Sequence, residues 1–301
     1  MSIEEDTAIS TPLITTTVGS YPAKGLEPQE AIRRAVEDQR TAGIALLTDG
    51  QVRADMIGIF ARCIPGYHPE GPGYRITGKI QPATEPITVA DILYARSLAG
   101  DAEVKGILTG PTTMALASKV EEGTPYSSAQ DPALVLDLAE ALAAEARALV
   151  AAGVRVIQID EPFFSLGADL ETGSRALKRI TVEVPLSMVH VCGDVRAIFA
   201  PLLDLPVQVL DIEGANLRDL PWVNGSLLQE KGKIISYGCI STNSDEVEEG
   251  ETIRERIREA ISQVGRENLW ISPDCGMRLR SRESALAKLC RMVEAARALW
   301  D

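Results

Sequence analysis

Val154-Arg155-Val156-Ile157-Gln158-Ile159-Asp160-Glu161-Pro162 carries the reading of the fold. The run Val154–Ile159 is short, β-branched and largely apolar, as in a strand buried on both faces. Just before it, Pro132–Ala152 places apolar residues at three- and four-residue spacing, with Pro132 at a helix start and Gly153 at a stop. A helix therefore feeds into a strand, and that rhythm recurs along the chain. The candidate strands are Leu13–Val18, Ile44–Thr48, Val104–Thr109, Val154–Ile159, Val184–Val191, Val207–Ile212, Lys233–Tyr237 and Leu269–Ile271. Helical spacing recurs in Glu27–Ala42, Thr252–Val264 and Arg282–Leu299, bounded by Pro28, Gly43 and Gly265. About eight β-α units predict an α/β fold, a single (β/α)8 TIM barrel spanning residues 1–301. A doubly wound sheet is the rival, but eight repeats favour closure. Residues 1–11 are expected to be flexible. Met56–Val89, rich in Gly and Pro, breaks the rhythm and is expected as a long excursion after the second strand, with a hairpin, over the barrel mouth.

Composition narrows the function. A hydrophobic content of 45% is ample for a large core, and a net charge of −13 disfavours nucleic acid or an anionic membrane as partner. Met1-Ser2-Ile3-Glu4-Glu5-Asp6 lacks the basic start of a signal peptide, and no apolar run is long enough to span a membrane. The five cysteines, at 63, 192, 239, 275 and 290, are scattered, unlike a disulfide framework. A reduced, cytoplasmic location is expected.

In a barrel the C-terminal ends of the strands share one rim, where active sites lie. Those ends carry Gly19-Ser20, Asp49-Gly50-Gln51, Asp160-Glu161, His190 and Cys192, Glu213, Cys239, and Asp274-Cys275. Residues i and i+2 of a strand face the same way, so His190 and Cys192 can reach one metal ion. His190, Cys192, Glu213 and Cys275 can supply N, S, O and S to a tetrahedral Zn2+. The plain alternatives are a satisfied core histidine beside an inert thiol, and Asp211 facing the rim with Glu213 an idle loop charge. Zinc at such a site would ionise a substrate thiol for attack on an alkyl carbon. Cys63, Cys239 and Cys290 read as ordinary thiols, His68 as a solvated loop residue, and Asp245–Glu251 as a solvated acidic face.

Several motifs in order resemble the catalytic half of cobalamin-independent methionine synthase. They are Thr15-Thr16-Thr17-Val18-Gly19-Ser20-Tyr21-Pro22, Arg53-Ala54-Asp55-Met56, Leu108-Thr109-Gly110-Pro111, Gln158-Ile159-Asp160-Glu161-Pro162, His190-x-Cys192, Glu213 and Pro273-Asp274-Cys275-Gly276. The resemblance implies a (β/α)8 barrel and a zinc-dependent methyltransferase that makes methionine from homocysteine. It implies that Val18, Gly19 and Ser20 hold the homocysteine carboxylate, that Asp160 binds its ammonium, and that the zinc ligands bind its sulfur. The family's extra N-terminal barrel is not expected within these 301 residues.

Four departures bear on the donor and acceptor. The family's pterin-stacking Trp aligns with Ala117, a folate-binding Glu with Leu166, and its proton-donating His with Asn243. Methyl-tetrahydrofolate leaves as an amine that needs a proton, whereas a corrinoid leaves as cob(I)alamin without one. The expected donor is therefore methylcobalamin or another methylcorrinoid, borne by a separate corrinoid carrier protein. Gln51 stands where the family has an ammonium-binding Glu, so it is expected to bind substrate without the charge term. That opens the alternative of another thiol acceptor such as coenzyme M. A non-enzymatic barrel that stores zinc or binds a partner is disfavoured by the dense polar rim.

Overall fold

The apolar runs become strands and the periodic segments helices, in alternation. The computed structural model describes residues 12–217 and 225–299, so the expectation for residues 1–11 lies outside them. In chain order the elements are β1 (Ile14–Thr15), α1 (Pro28–Ala42), β2 (Leu46–Leu47), α2 (Gly58–Ala61), β3 (Tyr67–Glu70), β4 (Gly73–Ile76), α3 (Val89–Leu98), β5 (Glu103–Val104), β6 (Gly106–Thr109), α4 (Pro111–Leu116) and β7 (Ser118–Val120). They continue with α5 (Pro132–Ala151), β8 (Val156–Asp160), α6 (Leu170–Thr181), β9 (Leu186–Val191), α7 (Phe199–Leu202), β10 (Val209–Glu213), α8 (Gly225–Lys231), β11 (Ile234–Ile240), α9 (Gly250–Val264), β12 (Leu269–Pro273) and α10 (Arg282–Arg297).

Seven strands form one parallel sheet in the order β1-β12-β11-β10-β9-β8-β6. The ring closes through β2. Leu46 bridges to Thr16 on one side, and on the other β2 pairs in parallel with β5. Lys105, between β5 and β6, donates its backbone N–H to Leu47 at 3.0 Å, so these two short strands are one barrel strand. The result is the expected α/β barrel of eight parallel strands.

The differences from the sequence reading are local. The first strand is shorter than Leu13–Val18 because the chain leaves the sheet at its end: Tyr21 donates to the Gly50 carbonyl at 3.0 Å, which turns Val18–Ser20 toward the rim. β11 runs on past Tyr237 to Ile240, with a register shift between Gly238 and Ile240. The helices α2, α3, α4, α6, α7 and α8 lie outside the four segments with helical spacing in the sequence. The excursion contains the expected hairpin, β3 antiparallel to β4, and β4 also pairs in parallel with β7. His68 thus lies on a strand, though exposed as expected. Thr109 Oγ1 donates to the Met56 carbonyl at 2.6 Å and Tyr67 Oη to the Met114 carbonyl at 3.0 Å, which fastens the excursion to the rim.

The main core lies between strands and helices, with Leu47, Leu138, Leu142, Ile157, Leu210, Ile271 and Leu289 among its buried members. A separate apolar cluster of Leu46, Val156, Met188, Val209 and Trp270 plugs the barrel at the strand starts. Each such side chain contributes about 1.5–3 kcal/mol of burial. With the strand starts sealed, the opening is left to the C-terminal rim. Among the described residues no helix is long and apolar enough to cross a membrane.

Candidate metal centre

Strand alternation brings the ligands together. His190 in β9 and Cys192 just past its end face the same way, with His190 Nε2 2.9 Å from Cys192 Sγ. Cys275, in the loop after β12, places its Sγ 3.4 Å from that of Cys192. The three donor atoms lie within 4.8 Å of one another, and this is the one such group among the described residues. One imidazole and two thiols form a soft donor set that fits zinc.

The neighbouring strand supplies the support. His190 is in register with Asp211 of β10, and its Nδ1 lies 2.6 Å from Asp211 Oδ1. That contact fixes the ring and leaves Nε2 for the thiols. Asp211 is fully buried rather than rim-facing. Glu213, two residues on, faces the same cavity, but it lies outside the three-residue group and its Oε1 accepts from the Gly193 N–H at 2.8 Å. The hydrogen bond between the two thiols holds Cys275 well below the usual thiol range and pushes Cys192 above it.

Hydrogen bonds between loops hold these positions. Asp274 accepts from the backbone N–H groups of Gly214, Ala215 and Asn216 at 2.8, 2.9 and 3.2 Å, tying the loop of Cys275 to that of Glu213. Burial pushes the Asp274 carboxyl up to about 7. Met277 donates its N–H to the Ser20 carbonyl at 2.7 Å. Gly276 permits that approach, since a Cβ there would stand 2.2 Å from Ser20 Oγ. Glu161 accepts from Thr112 N, Thr113 N and Thr113 Oγ1 at 3.0, 2.8 and 2.7 Å, so it secures the start of α4.

The sequence-derived substrate residues surround one cavity of about 600 Å³, lined by Val18, Ser20, Gln51, Asp160, His190, Cys192, Glu213 and Cys275. Gly19 sits just behind it, its carbonyl accepting from Thr48 Oγ1 at 3.2 Å. Asp160 is buried, and burial raises its carboxyl to about 6 against the pull of His190, Gln158 and Lys105. Gln51 has a φ of 45°, the one non-glycine residue in that region among the described residues, and its buried Nε2 has no partner. A strained residue with an unused donor facing a cavity is a functional signal. Asn243 lines the same cavity. Leu166 is 74% exposed and lines a different hollow of about 480 Å³, between α4, α5 and α6. Cys239 is buried and Cys63 exposed, and all five cysteines are free.

Sequence reasoning missed Asp211 as a partner of His190, and missed Arg278 and Lys105. Arg278 lines the cavity and donates to the Gln51 carbonyl. Its nearness to Cys275 in sequence was the available signal. Lys105 is a fully buried cation in the middle of a barrel strand, and a lone charge in an apolar run was the clue.

Comparison with known proteins agrees with this geometry. The family model "Cobalamin-independent synthase, Catalytic domain" matches residues 25–298. A protein named methionine synthase from Methanothermobacter marburgensis is 41% identical, covering 94% of this chain and 99% of its own length. One of the same name from Saccharolobus solfataricus is 32% identical over 96% of this chain and 95% of its own. A solved B12-independent methionine synthase from a Shewanella species, in complex with selenomethionine, superposes with a TM-score of 0.84 at 23% identity, covering 96% of this chain and 98% of that one. The family's description gives no support to the methylcorrinoid or the corrinoid carrier protein expected from the sequence. The match along nearly the whole chain, with the His190–Cys192–Cys275 group in place, shows that the chain belongs to the family of cobalamin-independent methionine synthase catalytic domains.

Proposed function

We propose that the chain transfers a methyl group to the thiol of homocysteine, forming methionine, at the His190–Cys192–Cys275 centre. The observation that carries this reading is the convergence of those three donor atoms within 4.8 Å at a cavity that also presents Asp160, Ser20 and Gln51. His190, Cys192 and Cys275 would hold zinc, with Glu213 as the oxygen ligand at the cavity side. Zinc bound there supplies the Lewis acidity that ionises a thiol at neutral pH. Val18, Gly19 and Ser20 receive the acceptor's carboxylate, and Asp160 its ammonium. Gln51 offers a neutral amide, which weakens the hold on the amino group. That substitution favours, as a second reading, an acceptor without an ammonium, such as coenzyme M.

For the donor, the reading is a methylcorrinoid, either methylcobalamin or a corrinoid carried by a partner protein. Its support is chemical. An amine leaving group needs a proton, and an exposed Asn243 lines the cavity where the family's proton donor aligns. Among the described residues His190 is the one histidine at the cavity, and His68 lies on β3 of the excursion. With a corrinoid, the carbon–cobalt bond breaks with its electron pair kept by cobalt, the sulfur–carbon bond forms, and the thiol proton goes to solvent.

The test is a matrix of two donors, methylcobalamin and methyl-tetrahydrofolate, against two acceptors, homocysteine and coenzyme M, with metal analysis alongside. About one zinc per chain, lost in Cys192→Ser, and methionine formed from methylcobalamin are expected. Efficient use of methyl-tetrahydrofolate would overturn the donor, faster turnover of coenzyme M the acceptor, and full zinc in Cys192→Ser the ligand set.

A further inference from the structure

Beneath the candidate metal ligands the barrel interior is charged. Lys105 is fully buried, and its Nζ donates to Gln158 Oε1 at 2.6 Å. That is the ammonium's one hydrogen bond among the described residues. The other end of the same amide makes two contacts. Gln158 Nε2 donates to Asp160 Oδ1 at 2.6 Å and to the Val18 carbonyl at 2.8 Å.

An ammonium only donates, and a carboxylate only accepts. Lys105 therefore accepts one orientation of the Gln158 amide, with oxygen toward itself and NH2 toward Asp160 and Val18. A flipped amide would set donors against the ammonium and an oxygen against the Asp160 carboxylate. In a site closed to water such mismatches are costly. The two groups that Gln158 grips, Asp160 and the Val18 carbonyl, belong to the two segments assigned to opposite ends of the acceptor.

We propose that Lys105 is a positioning residue for acceptor binding. It sets the Gln158 amide, which in turn locks the Asp160 carboxylate and the Val18–Ser20 turn in the geometry that receives an amino acid's ammonium and carboxylate. This deepens the proposed function and rests on its assignment of Asp160 to the acceptor. Lys105 does not touch substrate. The competing role is a simple counter-ion to the buried Asp160 and Asp211 carboxylates, which would act without Gln158.

A double-mutant cycle separates the two roles. Lys105→Met, Gln158→Leu and the double variant are compared for homocysteine KM, kcat, zinc per chain and methionine Kd, with Asp160→Asn alongside. Each single variant is expected to raise the homocysteine KM and the methionine Kd by about tenfold with zinc content unchanged, and the double variant by no more than either alone. A rise of about a hundredfold in the double variant would show independent action and overturn the proposal. So would an unchanged KM in Lys105→Met where Asp160→Asn raises it. An unchanged KM in Asp160→Asn would instead remove the assignment of Asp160 itself. Should Lys105→Met fail to fold, Gln158→Glu serves. It keeps a partner for Lys105 but turns a carboxylate against Asp160, and a homocysteine KM equal to that of the parent would refute the proposal.

Discussion

Replacing Asp211 by Asn should weaken zinc binding while sparing the fold. Asp211 Oδ1 lies 2.6 Å from His190 Nδ1, and both side chains are buried. Asn has the same shape and can still accept from the ring N–H, so the geometry survives and only the charge is lost. A hydrogen bond to a charged group contributes about 1.5–3 kcal/mol and a neutral one about 0.5–1.5. The difference, about 1–1.5 kcal/mol, corresponds to roughly tenfold in zinc affinity, the low end of the usual effect for a ligand's supporting carboxylate. The other oxygen, Oδ2, is buried without a hydrogen-bond partner, so Asn leaves no bond of the parent unmade. The metal-free variant should therefore melt no lower than its parent. Zinc Kd from competition with a chromophoric chelator, and thermal melts of the metal-free proteins, measure the two effects separately. An unchanged Kd would refute the role given to Asp211. A large drop in the metal-free melting temperature would make it a strut of the barrel rather than a tuner of His190.

Other substitutions probe the frame around the site. Gly214 follows Glu213, and a Cβ there would stand 1.8 Å from Tyr237 Cε2, so Gly214→Ala should cost about 1–3 kcal/mol in urea unfolding; a wild-type midpoint would mean that the ring moves freely. Glu145 in α5 accepts from Ile87 N, Thr88 N and Thr88 Oγ1, each at 2.7 Å, and so holds the start of α3. Glu145→Ala leaves two backbone donors unpaired and should destabilise by about 2–4 kcal/mol, with early hydrogen exchange in α3; protection equal to that of the parent would disprove this anchoring. Burial lowers Lys105 to about 8 from an ordinary 10.5. Between those values the unfolded chain holds the proton that the folded chain has released. Stability should therefore rise with pH across that window, by about 3 kcal/mol from this group, and Lys105→Met should flatten the rise. An identical slope in the two proteins would contradict the burial of a charged lysine.

The fold was readable because each barrel strand is an apolar, β-branched run that needs cover on both faces. Gly43, Gly153 and Gly265, which close three of the helices, all have positive φ, which explains why they marked the stops so well. The helix α6 was legible too but went unread: Thr172, Ala176, Leu177 and Ile180 make a buried stripe at helical spacing, and Asp169 caps it by accepting from Glu171 and Thr172. The metal ligands could be read because side-chain alternation is a property of the strand itself. His190 with Cys192 needed no tertiary information, and Cys275 needed only a closed barrel. Asp211 needed more. Its contact with His190 depends on the register between β9 and β10, which one strand's sequence does not encode. Lys105 and Gln158 were hidden for the same reason: Lys105, just ahead of β6, meets Gln158 of β8 only through the parallel pairing of β6 with β8.

The order of layers inside the barrel explains why the site can hold so many charges. At the strand starts, Leu46, Val156, Met188, Val209 and Trp270 pack an apolar plug. Above it come the buried Lys105 and Gln158, and then Asp160, His190 and Asp211, which are in register across β8, β9 and β10. Taken alone, this polar layer opposes folding, because buried ions lose hydration that their contacts only partly restore. Two features compensate. The layer is cross-linked by short hydrogen bonds on neighbouring strands, and the plug below and the helices outside bury apolar surface that does not depend on it. Replacing polar members of this layer should therefore change ligand affinity more than stability. An interior built of leucine and valine would give a firmer barrel, but it would leave His190 free to turn and Asp160 without the amide that aims it.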